Sequence, residues 1–385
     1  MTSRRPTRTA HVPSATLSPR EVVAALVRPV DVARAEARAA ALLEAPDAVL
    51  FASARGALSA CVGVLADGPD TAVPAYTCAA VPNAVLSAGR RPVFVDVDER
   101  GLVPAHAWPA NALPVVQDTY GFAAPAPSGR VFVRDSAHRA VPLELGGAAA
   151  VVTSFEHSKS LSAGRGGLVV TEDPSLAVEL RRVRDAAGRP GSRLRACAVT
   201  LWTLAMGRFD AAGRHRTAEM FRKAAWHTDV TLLLGQSSDE LRGAGVDAPL
   251  LGPPDRSLAG LVVSQLRRGR DAAAHRAHIV SVYDGAARLD RAPAALVRYP
   301  MSVDDPDDFE RRMLDHGWDL RGRWFNAPLH PRGTELGAFG YAPGQAPVAE
   351  RLAATVVNLP THPLVDADAA RRLIAAALAA GATPL

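Results

Sequence analysis

Lysine occurs only twice in this 385-residue chain, at Lys159 and Lys223, among 44 basic residues. The other 42 are arginine, so wherever a charge need only be positive this sequence uses Arg. A lysine amine can lose its proton and attack a carbonyl carbon, which a guanidinium cannot do. Lys159 stands in Ser154-Phe155-Glu156-His157-Ser158-Lys159. Before it runs the apolar stretch Ala148-Ala149-Ala150-Val151-Val152. After it come the small-residue turn Ser162-Ala163-Gly164-Arg165-Gly166-Gly167 and a second apolar run, Leu168-Val169-Val170. The pattern reads as strand, reactive turn, strand, and marks Lys159 as a candidate Schiff-base amine. The alternative is a residual surface lysine at a strand end. Lys223, in Met220-Phe221-Arg222-Lys223 on a helical stretch, reads as an ordinary surface residue.

Two further groups could work with such an amine. Asp135 closes the apolar run Val131-Phe132-Val133, 24 residues before Lys159, in Asp135-Ser136-Ala137-His138. A carboxylate at the carboxyl end of a strand lies in the crevice where α/β sheets bind ligands. There it could hold a pyridinium nitrogen protonated, or simply cap a turn. Ser53-Ala54-Arg55-Gly56 precedes a helix, whose free N–H groups attract phosphate. Ser53 and Arg55 could add side-chain donors, although Ser-x-x-Gly before a helix is also a plain cap.

The composition narrows the classes. With 48% hydrophobic and 22% charged residues the chain has ample core for a soluble globular protein of one large and one small domain. The net charge of +5 is spread along the sequence, without the lysine-rich or aromatic-interleaved stripe of a nucleic-acid binder. Three cysteines, Cys61, Cys78 and Cys197, have no paired spacing, and the 11 histidines show no metal-ligand spacing. Neither a disulfide framework nor a metal site is expected. The first 19 residues lack the apolar core of a signal peptide, and the apolar stretch Ala196–Met206 is far too short to span a bilayer. It reads as a buried or subunit-contact helix, and a cytoplasmic location is expected.

The elements that must position these groups follow from the apolar pattern. Residues 1–17 read as a flexible arm. Ser18-Pro19-Arg20-Glu21 opens a helix with a capping box. Strands are predicted at 49–51, 71–73, 92–95, 113–116, 130–133, 149–155 and 167–171, with helices at 56–65 and 78–88. Continuous apolar strands imply a sheet buried on both faces, hence an α/β class with a mostly parallel sheet. Residues 175–290 read as mostly helical, with Pro253-Pro254 as the candidate linker. The remainder reads as a small α+β domain, with a strand at 295–303 and helices at 308–316, 347–357 and 366–380. The predicted division is an arm (1–17), a large domain (18–252) with a helical insert (193–250), and a small domain (253–385).

Several segments occur in an order that resembles one family. Val73-Pro74-Ala75-Tyr76-Thr77-Cys78 with Asn83-Ala84-Val85-Leu86 is similar to "VPSFTF…NAVL". Arg91-Pro92-Val93-Phe94-Val95-Asp96-Val97-Asp98 is similar to "TPVFVDID". Asp135-Ser136-Ala137-His138 matches "DAAH", and Ser154 to Lys159 matches "SFHPTK", with Gly166-Gly167 as its trailing "GG". Pro328-Leu329-His330-Pro331, Pro347-Val348-Ala349-Glu350-Arg351 and Leu359-Pro360-Thr361-His362-Pro363 match the small-domain motifs. The set resembles the DegT/DnrJ/StrS family of pyridoxal-phosphate aminotransferases, best known for amino-sugar biosynthesis.

That resemblance implies a pyridoxal-phosphate-dependent transferase of fold type I, aspartate aminotransferase-like, working as a homodimer with its site near the subunit interface. It implies that Lys159 carries the cofactor as a Schiff base and then moves the proton between substrate and cofactor carbons. Asp135 would pair with the pyridine nitrogen, and His138 would lie near the ring and its phenolic oxygen. Ser154, Ser53, Ala54 and Arg55 would contact the phosphate. Cys78 stands where the family places an aromatic on the ring, so Tyr76 or His138 would compensate. Tyr76, His157, Arg321 and His330 are the candidate substrate contacts. The expected reaction takes an amino group from Glu or Gln to a keto acceptor, by analogy a nucleotide-linked keto sugar or a cyclitol precursor.

The chain also departs from the family. Ser53-Ala54-Arg55 replaces a Ser-Gly-Thr phosphate turn, and the "NYRM" segment that reaches a partner's phosphate site has no clear counterpart, a loss that Arg55 could offset. The insert from Arg193 to Leu250 is unusually long, and the interval from Asp135 to Lys159 is short. A lyase, dehydratase or racemase would use the same lysine and aspartate, and a non-catalytic cofactor-binding regulator is the reading from another class.

Overall fold

The computed structural model describes residues 8–11, 17–139, 141–188, 192–212, 214, 217, 220–221, 236–321 and 323–385, with backbone alone for 8–11, 195, 210 and 321. Lys223 and much of the insert, including 222–235, lie outside the described residues.

Apolar strands build the centre. A seven-stranded sheet runs in the order Asp47–Phe51, Gly167–Thr171, Ala150–Ser154, Val133–Asp135, Leu113–Gln117, Asp70–Pro74, Arg91–Val95. Gly167–Thr171 is antiparallel to both neighbours, and the other pairs are parallel. Alternate residues serve the two faces. Val49, Phe51, Val73, Val115, Val133, Val152 and Val169 join one core with helices Ala54–Leu65, Ala80–Ser87 and Pro174–Ala186. Leu50, Ala72, Val116, Val151, Leu168 and Val170 join the other. Burial on both faces explains why these strands read as unbroken apolar runs.

One strand lies further along than predicted. The stretch 130–133 was expected, whereas pairing begins at Val133. The reason is Arg130, whose guanidinium is drawn out to the carbonyls of Ala110 and Ala112 at 3.0 and 2.6 Å, leaving Val131 exposed to solvent. The shift places Asp135 as the last residue of its strand.

The first helix, Pro19–Val27, has the expected capping box. The Glu21 N–H donates to Ser18 Oγ at 3.2 Å, and the Ser18 N–H donates to Glu21 Oε2 at 2.8 Å. Glu21 also accepts from Ser264, Gln265 and Arg268, so helix Arg256–Arg267 is fastened to the first helix. That helix packs on Pro19–Val27 and Val32–Leu43. The segment after Pro253-Pro254 therefore begins with a helix seated on the large sheet's own helices. Arg8–His11, inside the stretch expected to be a loose arm, instead forms a strand paired in parallel with Trp318–Arg321, its backbone bonds met by that partner.

The C-terminal part holds a small antiparallel sheet, Val356–Pro360, Arg298–Ser302 and Thr383–Pro384, with helices Pro306–Asp315, Pro347–Thr355 and Ala367–Ala379. A two-residue ladder matters most for the site: Leu329–His330 pairs with Thr77–Cys78. The N–H groups of Thr77 and Ala79 donate to the carbonyls of Pro328 and His330 at 3.0 and 2.8 Å, which docks a C-terminal loop on the segment that leaves the carboxyl end of Asp70–Pro74. Among the described residues no helix is long and apolar enough to cross a membrane, and no cluster of three or more His, Cys, Asp or Glu side chains could hold a metal ion.

Candidate active site

Parallel strands deliver their carboxyl ends to one edge, and ligands bind in the crevice there. Gln117, Asp135 and Ser154 are the last residues of three neighbouring strands, and Ser53 and Cys78 follow the ends of two others. All five line one cavity of about 360 Å³, together with Ala54, Arg55, His138, His157, Lys159 and His330. The residues expected to hold the cofactor thus converge.

Lys159 is held by the turn that its small residues allow. Its N–H donates to the Glu156 carbonyl at 3.1 Å, and the N–H groups of Phe155 and Ala163 close the loop onto Gly166 and Phe155. Gly166 sits at φ +120°, and a Cβ on Gly167 would lie 2.5 Å from the backbone of Ser53 and Ala54. Side chains at these two positions would push the lysine turn away from the helix Ala54–Leu65. Burial disfavours the charged amine and lowers the Lys159 pKa below the ordinary lysine value, against the pull of the Glu156, Cys78 and Asp135 sites. Glu156 is held down at about 2. Burial alone would raise it, but His157, Lys159 and Ser158 outweigh that.

Asp135 is buried, and its Oδ1 accepts the Ala137 N–H at 3.0 Å. Burial raises its pKa to about 6. The neighbouring carboxylate, Asp118, is already engaged. It accepts from Arg134 at 2.8 Å, Ser136 Oγ at 2.7 Å and the Ala124 N–H at 2.9 Å, and it does not line the cavity. His138 accepts the Tyr120 N–H on Nδ1 at 3.1 Å, so in the neutral ring Nε2 carries the proton. Burial, with Lys159 and Arg298 nearby, depresses its pKa well below 6.5 and keeps it neutral.

At the other end, helix Ala54–Leu65 begins at the cavity. Ser53 caps it. Its Oγ accepts the Gly56 N–H at 3.0 Å and donates to the Leu250 carbonyl at 2.9 Å. The Ser53 hydroxyl, expected as a donor to ligand, is therefore committed to the cap, and the helix's first-turn amides remain the donors of that end. Arg55 is ion-paired with Glu240, whose side chain is fully buried. Ser154 Oγ accepts the Glu156 N–H at 3.4 Å.

The candidate substrate contacts divide. His330 lines the cavity with Nδ1 3.2 Å from Asn326 Oδ1 and its pKa lowered to about 3 by burial, and His157 lines it paired with Glu156. Tyr76 does not line it. Its ring turns into the core against Gly101 and Phe325, and its hydroxyl bonds that of Tyr120 at 2.8 Å. Arg321 ends the strand Trp318–Arg321, and its side chain lies outside the described residues.

Sequence reading missed Trp324, Arg298, Gln117, Glu156 and Gln236, all on the cavity wall. Trp324 stacks on Phe325 with centroids 5.1 Å apart, packs 4.5 Å from the His138 ring, and has Arg298 Cζ 3.8 Å from its centroid. Two signals were available: an Arg inside the apolar strand Leu296-Val297-Arg298-Tyr299, and an aromatic pair just ahead of Pro328-Leu329-His330.

Residues 29–108 match the model of the DegT/DnrJ/EryC1/StrS aminotransferase family. The chain is 32% identical over 177 residues to the UDP-N-acetyl-3-dehydro-alpha-D-glucosamine 3-aminotransferase of Acidithiobacillus ferrooxidans, covering 39% of this chain and 47% of that protein. It is 34% identical over 162 residues to the dTDP-4-dehydro-2,3,6-trideoxy-D-glucose 4-aminotransferase of Saccharopolyspora spinosa, covering 36% of this chain and 42% of that one. The matches thus span under half the length of these relatives. The fold is similar along nearly the whole chain to Helicobacter pylori PseC, an aminotransferase of pseudoaminic acid biosynthesis, with a TM-score of 0.66 at 16% identity over 96% of this chain and 99% of that one. Residues 29–108 and two partial relatives above 30% identity thus make the chain similar to the DegT/DnrJ/EryC1/StrS aminotransferases, and the fold is shared along nearly its whole length.

Proposed function

We propose that this protein is a pyridoxal-phosphate-dependent aminotransferase that moves an amino group from Glu or Gln to a keto acceptor, a nucleotide-linked keto sugar. One observation carries the reading: an amine with a lowered pKa, a buried carboxylate and a helix N-terminus face a single cavity at the carboxyl edge of the sheet. The two partial relatives, named for acting on UDP- and dTDP-linked dehydro sugars, support the acceptor class.

The donor set fits this cofactor. Lys159 offers the amine for its carbonyl carbon and Asp135 the carboxylate for its pyridine nitrogen. Ser154 and the first-turn amides of Ala54–Leu65 offer hydrogen bonds to its phosphate. When bound, pyridoxal phosphate supplies an electron sink for negative charge developing on the substrate carbon.

The protein's own groups supply the rest. Lys159, with its pKa lowered by burial, is neutral more often than a free lysine and can take a proton from the donor carbon and return it to the acceptor. Asp135 stays ionised beside a positive nitrogen, because an adjacent cation reverses the effect of burial on its pKa. His138 has a proton on Nε2 to donate to an oxygen in the cavity. Trp324, buried and stacked on Phe325, walls the cavity from the C-terminal side and shields the amine from water.

A homodimer is part of this proposal. Leu194 and Leu201, 83% and 52% exposed, lie on one side of helix Arg193–Ala211, while Val199 and Met206 are buried. Such a face suits a subunit contact. A cytoplasmic location fits three free thiols.

The test is the half-reaction. Holoenzyme incubated with glutamate alone should lose its absorbance near the visible edge as the cofactor takes the amino group, releasing one equivalent of 2-oxoglutarate. A lyase or racemase would leave the cofactor unchanged after turnover, and that outcome would overturn the assignment.

A further inference from the structure

Gln236 lies where the insert returns to the main body, and it lines the main cavity. Its Oε1 accepts the Cys78 thiol at 3.7 Å. Its Nε2 is buried and has no hydrogen-bond partner among the described residues. A buried amide donor without an acceptor is costly, and native structures seldom keep one. A ligand that brings an acceptor removes the cost.

The neighbours fix which end of the cavity this donor serves. The N–H of Ser237, the next residue, donates at 3.2 Å to Glu240 Oε2, the same oxygen that pairs with Arg55. The Glu240 carbonyl accepts from Asn83 Nδ2 at 2.7 Å, and Asn83 Oδ1 accepts the Gly245 N–H at 3.1 Å. The Val246 N–H donates to Ser87 Oγ at 2.6 Å. The segment from Gln236 onward is thus fastened to the helices Ala54–Leu65 and Ala80–Ser87, and its Gln236 end stands by the start of the former, where an anion is favoured.

We propose that the Gln236 carboxamide donates its Nε2–H to a phosphate oxygen of the cofactor, so that the insert completes the phosphate site within one subunit. This rests on the cofactor reading above. Arg55 then has a positioning part. Through Glu240 it pins the segment that carries Gln236, and its own guanidinium is held by that carboxylate.

The experiment compares two probes on cofactor-free protein. Wild type, Gln236→Leu and Gln236→Glu are titrated with pyridoxal 5'-phosphate and with pyridoxal, which lacks the phosphate. Thermal melts of the cofactor-free variants check folding. Gln236→Leu is expected to raise the Kd for pyridoxal 5'-phosphate about tenfold or more, the effect of losing a hydrogen bond to a charged group, and to leave pyridoxal binding unchanged. Gln236→Glu should weaken the phosphate ester further, by like-charge repulsion. Equal losses for both probes, or no loss with the phosphate ester, would overturn the proposal. So would unchanged cofactor binding with a raised KM for acceptor. If wild type takes up neither probe, the cofactor reading itself has failed. If wild type binds and Gln236→Leu binds equally well, only the role of Gln236 has failed.

Discussion

The Nζ of Lys159 lies 4.6 Å from the ring centroid of Trp324. The lysine comes from the turn after a central strand of the large sheet and the tryptophan from a loop of the C-terminal part. The same indole touches His138 and Arg298, so it ties three cavity groups from separate elements.

Trp324→Ala should therefore act on both stability and titration. Emptying this buried position is expected to cost about 3–5 kcal/mol, measured by urea unfolding of the cofactor-free protein. Water admitted to the cavity should move the Lys159 pKa back up toward the ordinary lysine value. The pH at which cofactor-free protein captures pyridoxal phosphate should rise with it. Trp324→Phe should keep most of both properties.

Lys159→Arg keeps the charge and removes the proton transfer. Turnover is expected to fall by roughly a thousandfold or more, the scale of general acid–base catalysis. Melting of the variant should stay close to wild type. Rapid turnover by Lys159→Arg would contradict the assigned role.

Asp135 gives a pH signature. Its folded pKa of about 6 lies above the ordinary aspartate value of 3.8, so between these values the folded cofactor-free protein keeps a proton that the unfolded chain has released. That contribution to stability is complete below pH 4 and is lost as pH rises through 6, a cost of about 3 kcal/mol. Asp135→Asn should remove this slope and be more stable than wild type at pH 8 in urea titrations without cofactor. With cofactor the order should reverse in activity, because the amide cannot hold the pyridine nitrogen protonated.

Arg55 and Glu240 form a pair whose carboxylate is fully buried. Arg55→Thr leaves that carboxylate unpaired and is expected to destabilise by about 3–5 kcal/mol. It should also loosen cofactor retention during dialysis, because the Gln236 segment loses its anchor. Arg55→Thr combined with Glu240→Gln should recover most of the stability. A double-mutant cycle with no coupling would show that the pair does not fasten the insert.

What the sequence made legible follows a physical rule. Lys159 stood out because arginine fills nearly every other basic position, and Asp135 because it closes an apolar strand. Both are local signals, and the cavity brings both together. Tyr76 misled because its closeness to Cys78 in sequence does not fix where its ring goes. The small Gly101 opposite draws that ring into the core. Trp324, Arg298 and Gln236 reach the cavity only through tertiary docking, by the Leu329–His330 ladder, the small sheet and the Glu240 anchor. The Arg inside an apolar strand and the Trp324-Phe325 pair are unusual locally, but local pattern does not say what they will meet. The expected role of Arg55 as a direct phosphate ligand likewise missed its buried partner, which lies far along the chain.

Everything proposed for the cavity rests on Lys159 being the amine that holds the cofactor. Reduction of the pyridoxal-phosphate-loaded protein with borohydride, followed by peptide mapping, measures this directly. The pyridoxyl group should be found on the peptide carrying Lys159, and Lys159→Ala should yield none. Finding the label on Lys223, or on no lysine in protein that has taken up the cofactor, would contradict it.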